Sequence, residues 1–112
     1  MVEKSMKDCL QACIECAQAC EECASSCLQE EDVQMMARCI QTDRDCAEIC
    51  WTAAALMSRN SPFSNDLCRI CAEVCEACAA ECEKHEADHC QACAKACRMC
   101  AEECRAMAGS IS

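Results

Sequence analysis

The chain has one glycine, one proline, one tryptophan, one phenylalanine and no tyrosine in 112 residues. Sheet folds turn often and draw on these residues, so their scarcity argues against a sheet, and equally against a collagen-like or linker-like chain. Large aliphatics are also few: four Leu, five Ile and three Val. No run approaches the roughly 18 to 20 apolar residues of a membrane span. The charged start, Met1 to Asp8, lacks the apolar stretch of a secretory leader, which predicts a cytoplasmic protein. Positive charge is scarce as well, 10 Lys+Arg against 20 Asp+Glu for a net −10. Such a balance makes nucleic acid and anionic membrane surfaces poor partners and favours the attraction of cations.

What the chain has in abundance is cysteine, 19 residues or about one in six. In a reducing compartment dense cysteine means metal more often than disulfide. An odd number cannot all pair within one chain. The cysteines fall in four groups: Cys9, Cys13, Cys16, Cys20, Cys23 and Cys27; Cys39, Cys46 and Cys50; Cys68, Cys71, Cys75, Cys78 and Cys82; and Cys90, Cys93, Cys97, Cys100 and Cys104. In the first, third and fourth groups the steps alternate between three and four. That is the seam of a helix packed in a bundle, and no Cys-x-Cys interrupts it. Ala, Glu, Gln, Lys and Arg fill the gaps and all favour helix.

Breaks in the pattern separate four helices. Asp32 is a candidate N-cap, the run Ser58 to Asp66 holds the one proline among capping residues, a turn falls near His85 to Asp88, and Gly109 follows the last seam. Helices are predicted over 3–28, 32–58, 65–85 and 87–107. Short connections make neighbours antiparallel, so the expected fold is all-α, an up-down-up-down four-helix bundle with a cysteine-lined core, in a single domain over 1–112. The second helix departs from the thiol ladder: its inward positions run Met36, Cys39, Thr42 or Asp43, Cys46, Cys50, Ala53 and Met57. Ile40, Ile49, Trp51 and Leu56 flank that seam and read as core and inter-helix packing. Leu10, Ile14, Leu67, Ile70 and Val74 form similar stripes, either bundle packing or an oligomer face.

Packing alone selects no cysteine over Ala, Val or Leu at nineteen positions. Neighbours on one helix have Cβ atoms about 5 to 6 Å apart, too far for an unstrained disulfide at about 3.5 to 4.5 Å, so a disulfide scaffold would need pairing across helices. Metal binding remains. Cys-x-x-x-Cys occurs eight times, each pair able to offer two sulfurs to one ion. Thiolates select Cu(I), Zn(II) or iron-sulfur clusters. Bridged Cu(I), about one ion per sulfur, leaves a nearly neutral core, whereas each Cys₄ zinc site buries two negative charges that no inward Lys or Arg offsets. Ferredoxin spacing is absent. The expected cofactor is therefore Cu(I), several ions per chain. Zinc or broad heavy-metal detoxification and a thiol-disulfide redox protein are the alternatives. No catalytic constellation is visible, so an enzyme is not expected.

Antiparallel packing gathers Met35, Met36, His85 and His89 at one mouth, above Cys27, Cys39, Cys82 and Cys90, with Glu30, Glu31, Asp32, Glu83 and Glu86 making its rim acidic. Imidazole and thioether are neutral, exchangeable Cu(I) donors, so these four either admit copper or are solvent-facing residues without a role. At the opposite mouth Met6, Met57 and Met107 are expected near Trp51, Leu56, Phe63 and Leu67 as a plug, with those methionines a second candidate for admitting copper.

Inward-facing Cys-x-x-x-Cys pairs repeated along a whole four-helix chain resemble the cytosolic bacterial copper storage proteins. The resemblance implies storage of many Cu(I) ions by paired thiolates within a preformed bundle, a homotetramer, and His or Met ligands at one open end. Carried over, the thiolate role falls on all nineteen cysteines, and the mouth role on His85 and His89 with Met35 or Met36. The expected partners are copper ions, further copies of the chain, and a copper chaperone or low-molecular-weight thiol as donor.

Overall fold

Four helices carry most of the chain: α1 Lys4–Cys27, α2 Ala37–Ser58, α3 Ser64–Cys82 and α4 Asp88–Gly109. They belong to a computed structural model that describes residues 4–109. α1 packs on α2 and α4, and α3 packs on the same two, which closes a four-cornered bundle measuring 46 × 20 × 18 Å. Sulfur contacts fix the directions. Near the start of α1 Cys9 meets Cys104, close to the end of α4, while Cys23 further along meets Cys90 at the start of α4. Likewise Cys39 early in α2 meets Cys82 at the end of α3, and Cys50 meets Cys71. Neighbouring helices therefore run antiparallel, as the short connections required.

Beside the thiol seam each helix buries a pair of alanines one heptad apart: Ala17 and Ala24, Ala47 and Ala54, Ala72 and Ala79, Ala94 and Ala101. A methyl group at the helix-helix contact lets the backbones approach closely, so short cysteine side chains from all four helices reach a common axis. Aliphatics fill the flanks, where Leu10, Ile14, Ile40, Ile49, Leu67 and Val74 are partly buried against the core. Ion pairs lace the surface; Arg98 makes a bidentate contact with Glu83, and Arg105 pairs with Glu76 across α3 and α4.

Helix boundaries differ from expectation where caps decide them. Asp32 does cap, its side chain accepting from the Met35 N–H at 3.2 Å, but it opens a 3₁₀ turn over Val33–Met36 and the α-helix starts only at Ala37. α3 stops at Cys82 rather than 85 because Lys84 and His85 donate three residues back, to Glu81 and Cys82, at 3.1 Å. α4 continues through Gly109, whereas position 3, where the first helix was expected to begin, lies outside the described residues. Two aromatics also correct the sequence reading. Trp51 is 40% exposed, its indole N–H donating to Glu21 of α1, and Phe63 is 66% exposed, so neither belongs to the core or to a plug. An indole or phenyl ring is too bulky for a seam cut to cysteine and alanine, and the Glu21 carboxylate gives Trp51 a partner at the surface.

α2 ends in a Schellman motif. Ser61 N–H bonds Leu56 C=O at 2.9 Å and Asn60 N–H bonds Met57 C=O at 3.0 Å. Asn60 adopts φ 55°, the only left-handed non-glycine conformation among the described residues. Asn tolerates that region through local hydrogen bonding, whereas β-branched side chains do not. Replacing Asn60 by Gly should leave apo stability unchanged or slightly raised, and replacing it by Val should lower it by about 1 to 2 kcal/mol, read as the midpoint of thermal unfolding under reducing conditions.

Candidate metal centre

All nineteen cysteines are free thiols and none is more than 1% exposed. Their sulfurs form one continuous column. From one end, Cys9 lies 3.8 Å from Cys104, Cys104 3.7 Å from Cys13, and Cys13 3.6 Å from Cys100. Cys100 is 3.9 Å from Cys50, which is 3.7 Å from Cys75, itself 3.6 Å from Cys46. Cys16 then links Cys46 to Cys97, at 3.7 Å each way, and Cys20 links Cys97 to Cys93 at 3.8 and 3.7 Å. These separations are nearly twice an S–S bond of about 2.04 Å, so the sulfurs are in van der Waals contact and unbonded. Six Cys-x-x-x-Cys pairs bring their sulfurs to between 3.8 and 4.0 Å, the separation at which one ion can touch both.

Sulfurs from different helices also converge in fours. Cys13, Cys71, Cys100 and Cys104 have all their sulfurs within 4.8 Å of one another, as do Cys16, Cys46, Cys50 and Cys75; Cys16, Cys20, Cys46 and Cys97; Cys20, Cys78, Cys93 and Cys97; and Cys23, Cys27, Cys39 and Cys90. Distance alone suits zinc too, since a tetrahedral site with Zn–S of about 2.3 Å spans sulfurs about 3.8 Å apart. Sharing separates the two metals. Cys16, Cys20, Cys46 and Cys97 each belong to two quartets, so sites at both places must bridge through common sulfurs. Isolated Cys₄ zinc centres would compete for those sulfurs and leave two negative charges per ion in a core without cations. Monovalent copper bridged by thiolate meets neither obstacle.

Without metal, burial in a dry column favours the neutral thiol over the thiolate. Burial is the main force raising the Cys27 and Cys90 thiols above their usual range, and the negative charge their neighbours would acquire raises them further. Among the described residues the one carboxyl in the column is Asp43, fully buried. Its Oδ1 accepts from the thiols of Cys78, Cys82 and Cys93 at 3.2, 3.4 and 3.4 Å, and its Oδ2 faces Cys39 at 3.9 Å. Burial, and next the proximity of Cys93, push its pKa up to about 12. It is therefore a neutral carboxylic acid at pH 7, acting as a hydrogen-bonding bracket for four thiols where α2 supplies no cysteine of its own. Of the two inward positions left open by the sequence, Asp43 faces the column and Thr42 turns back to bond the Cys39 carbonyl at 3.1 Å. The missed signal was the heptad register: Asp43 sits four residues after Cys39, where the ladder would place a thiol.

At the mouth formed by the end of α1 and the start of α4, His89 reaches inward. Its Nδ1 lies 3.5, 3.6 and 3.9 Å from the sulfurs of Cys90, Cys23 and Cys27. Nε2 is 2.8 Å from Glu30. With that carboxylate accepting from Nε2–H, the Nδ1 lone pair is directed at the sulfurs, the arrangement in which an outer carboxylate orients a metal-binding imidazole. Burial lowers the pKa of this ring, but the hydrogen bonds to Glu30 and Cys23 outweigh it and leave it raised. His85 is placed differently. Its Nε2 pairs at 2.9 Å with the buried Glu81, which also receives Arg38 and Lys84. Met36 is buried and Met35 is 69% exposed. The four predicted mouth residues thus share one end of the bundle, but only His89 has a donor atom against the thiols among the contacts described.

Asp43 gives the apo fold a pH dependence. An unfolded aspartate titrates near pH 3.9, so above that value the native state holds a proton the unfolded chain has lost. Unfolding free energy then falls as pH rises, by about 1.4 kcal/mol per unit. An Asp43→Asn chain keeps an acceptor for the thiols and lacks this slope. Between pH 5 and 7.5, below the range of unfolded thiols, the apo unfolding midpoint of the native chain should drop relative to Asp43→Asn. Parallel profiles would mean that Asp43 is ionised in the native column.

Known proteins place this geometry. A family model described as copper storage protein matches residues 2–109. The chain is 50% identical over 107 residues to a Bacillus subtilis protein described as the uncharacterized cysteine-rich protein YhjQ, covering 96% of this chain and 99% of that one. Among solved structures it superposes on the Cu(I)-bound copper storage protein BsCsp3 with a TM-score of 0.90 and 50% identity, covering 94% of this chain and 99% of the other. It superposes also on a cytosolic copper storage protein from Streptomyces lividans, in a structure of copper loading with five coppers, with a TM-score of 0.93 and 38% identity over 97% and 96% of the two chains. With its fold, its buried sulfur column and a family match over nearly its whole length, the chain belongs to the copper storage protein family.

Proposed function

We propose that this chain stores Cu(I) in its interior column, with all nineteen cysteines as thiolate ligands and with His89 closing the open end through Nδ1. The observation that carries the ligand set is the overlap of the sulfur quartets, because shared sulfurs are bridging sulfurs. Each arriving Cu(I) displaces about one thiol proton and is held by thiolates that also touch the next ion, so charge never accumulates along the column. Storage is the family's activity, which makes the chain a binding protein rather than an enzyme. The copper-bound relative supports Cu(I) as cargo, and the relative described as cytosolic supports a cytoplasmic location. No described helix is long and apolar enough to cross a membrane.

Residues 1–112 act in this reading as one storage domain, assembling with further copies into the homotetramer that the family resemblance suggests. Apolar groups left at the surface, Ile70 and Met99 among them, are available to such contacts. The donor is a copper chaperone or a low-molecular-weight thiol that meets the mouth at His89. Met36 sits buried at that end, and Met35 stands exposed beside the acidic Glu31 and Asp32, where an incoming cation first meets soft sulfur. His85, held by Glu81, serves as the outer member of the pair.

Anaerobic titration of the reduced apoprotein with Cu(I) against a strong competing chelator tests the store. Uptake should approach one ion per thiol, near nineteen per chain. Saturation at four or five divalent ions with a preference for zinc would overturn it, and so would early saturation with disulfide reductase activity. For the mouth, His89→Ala should slow loading and weaken retention of the outermost copper by about tenfold or more while leaving most of the capacity intact. The same variant with unchanged loading kinetics and unchanged retention would remove His89 from the ligand set.

A further inference from the structure

The end of the bundle opposite His89 is closed by thioethers. There the start of α1 supplies Met6, the end of α2 Met57 and the end of α4 Met107, and all three are buried. Met57 is the deepest, fully buried, and its Sδ accepts from the Cys68 thiol at 3.9 Å. Cys68 in turn lies 3.9 Å from Cys9. The quartet of Cys13, Cys71, Cys100 and Cys104 sits next along the column. Beyond it lie Cys9 and Cys68, the first touching Cys104 of that quartet and the second touching the thioether of Met57.

We propose that this end holds a terminal Cu(I) bound by the thiolates of Cys9 and Cys68 and the thioether of Met57. The proposal rests on the reading of the column as a Cu(I) store and assigns it a donor of a different chemical type. The reason for a thioether is charge. Inside the column a thiolate touches copper on both sides, so its negative charge is shared between two ions. At the end of the column there is no further ion, and a third thiolate would add an unshared charge to a dry site. Binding one Cu(I) here releases the protons of Cys9 and Cys68 and leaves a single negative charge, to which the neutral sulfur of Met57 adds nothing. Copper(I) is soft enough to accept that thioether. The contact between Cys9 and Cys104 at 3.8 Å joins the site to its neighbouring quartet. Both ends of the store then finish in a neutral donor, imidazole at the open end and thioether at the closed one.

The test uses selenomethionine-labelled full-length protein loaded anaerobically to saturation with Cu(I). X-ray absorption at the selenium edge should show copper in the first shell of selenium. That shell should weaken in Met57→Leu, whose side chain keeps nearly the same apolar volume and so the same plug. Under chelator competition the variant should retain one Cu(I) fewer per chain, while its apo helicity and unfolding midpoint stay close to those of the parent. No copper around selenium in the saturated parent chain would overturn the site without any variant. An equal selenium shell and equal copper count in Met57→Leu would also overturn it and leave Met57 as packing. Either result, obtained on a parent chain that still fills to about one copper per thiol, would leave the store itself standing; a parent that fails to fill would instead remove the reading on which the site rests.

Discussion

Every feature of this bundle answers to one constraint: nineteen sulfurs are held in contact along a dry axis, where unshared charge is costly. As thiols they are neutral, small and weakly hydrogen bonded, so the apo core is a column of polarisable side chains that needs no counter-charge. As thiolates they require ions in between, and monovalent ions at one per sulfur restore neutrality. The sulfur spacings of the metal-free bundle are already those at which one ion can touch two thiolates. Alanine pairs beside the seams set the helix spacing that makes this contact continuous, and the net charge of −10 gives the exterior an attraction for cations.

Positions where the thiol ladder is interrupted follow the same rule. Asp43 replaces a cysteine in α2, and its carboxyl stays protonated because burial opposes its ionisation; it gathers hydrogen bonds from Cys78, Cys82 and Cys93 as a neutral group. His89 closes the open mouth with an imidazole whose outer nitrogen is tied to Glu30. Met57 closes the other end with a neutral sulfur. The carboxylates nearest the mouth each pair with a histidine, Glu30 with His89 and Glu81 with His85, and Glu81 also meets Arg38 and Lys84.

The period of the cysteines revealed the helices and their inward faces, because steps of three and four admit no other regular structure. It also identified the end at which the histidines gather. What the sequence left open depended on side-chain direction across the bundle. Thr42 and Asp43 both lie near the seam; the alternation of three and four favours Asp43, and its contacts with thiols of α3 and α4 hold it there. His85 and His89 are equivalent in composition and spacing, yet Glu81 draws one aside and Glu30 turns the other inward. Trp51 was expected in inter-helix packing and, with Phe63, in a plug at the closed mouth, but a seam built from cysteine and alanine has no room for either ring. The overlap of the quartets has no local signature, since each of those named is assembled from three helices.

The central claim is that neutral thiols exchange protons for bridged monovalent copper at close to one for one. Counting protons released as Cu(I) is added anaerobically to the reduced protein in weakly buffered solution near pH 7 measures this directly. The account predicts about one proton per copper through most of the loading, with the helical circular dichroism unchanged from apo to filled. Two protons per copper throughout, with saturation once about half the thiols have a copper equivalent, would show isolated bis-thiolate ions with no sharing and would contradict it.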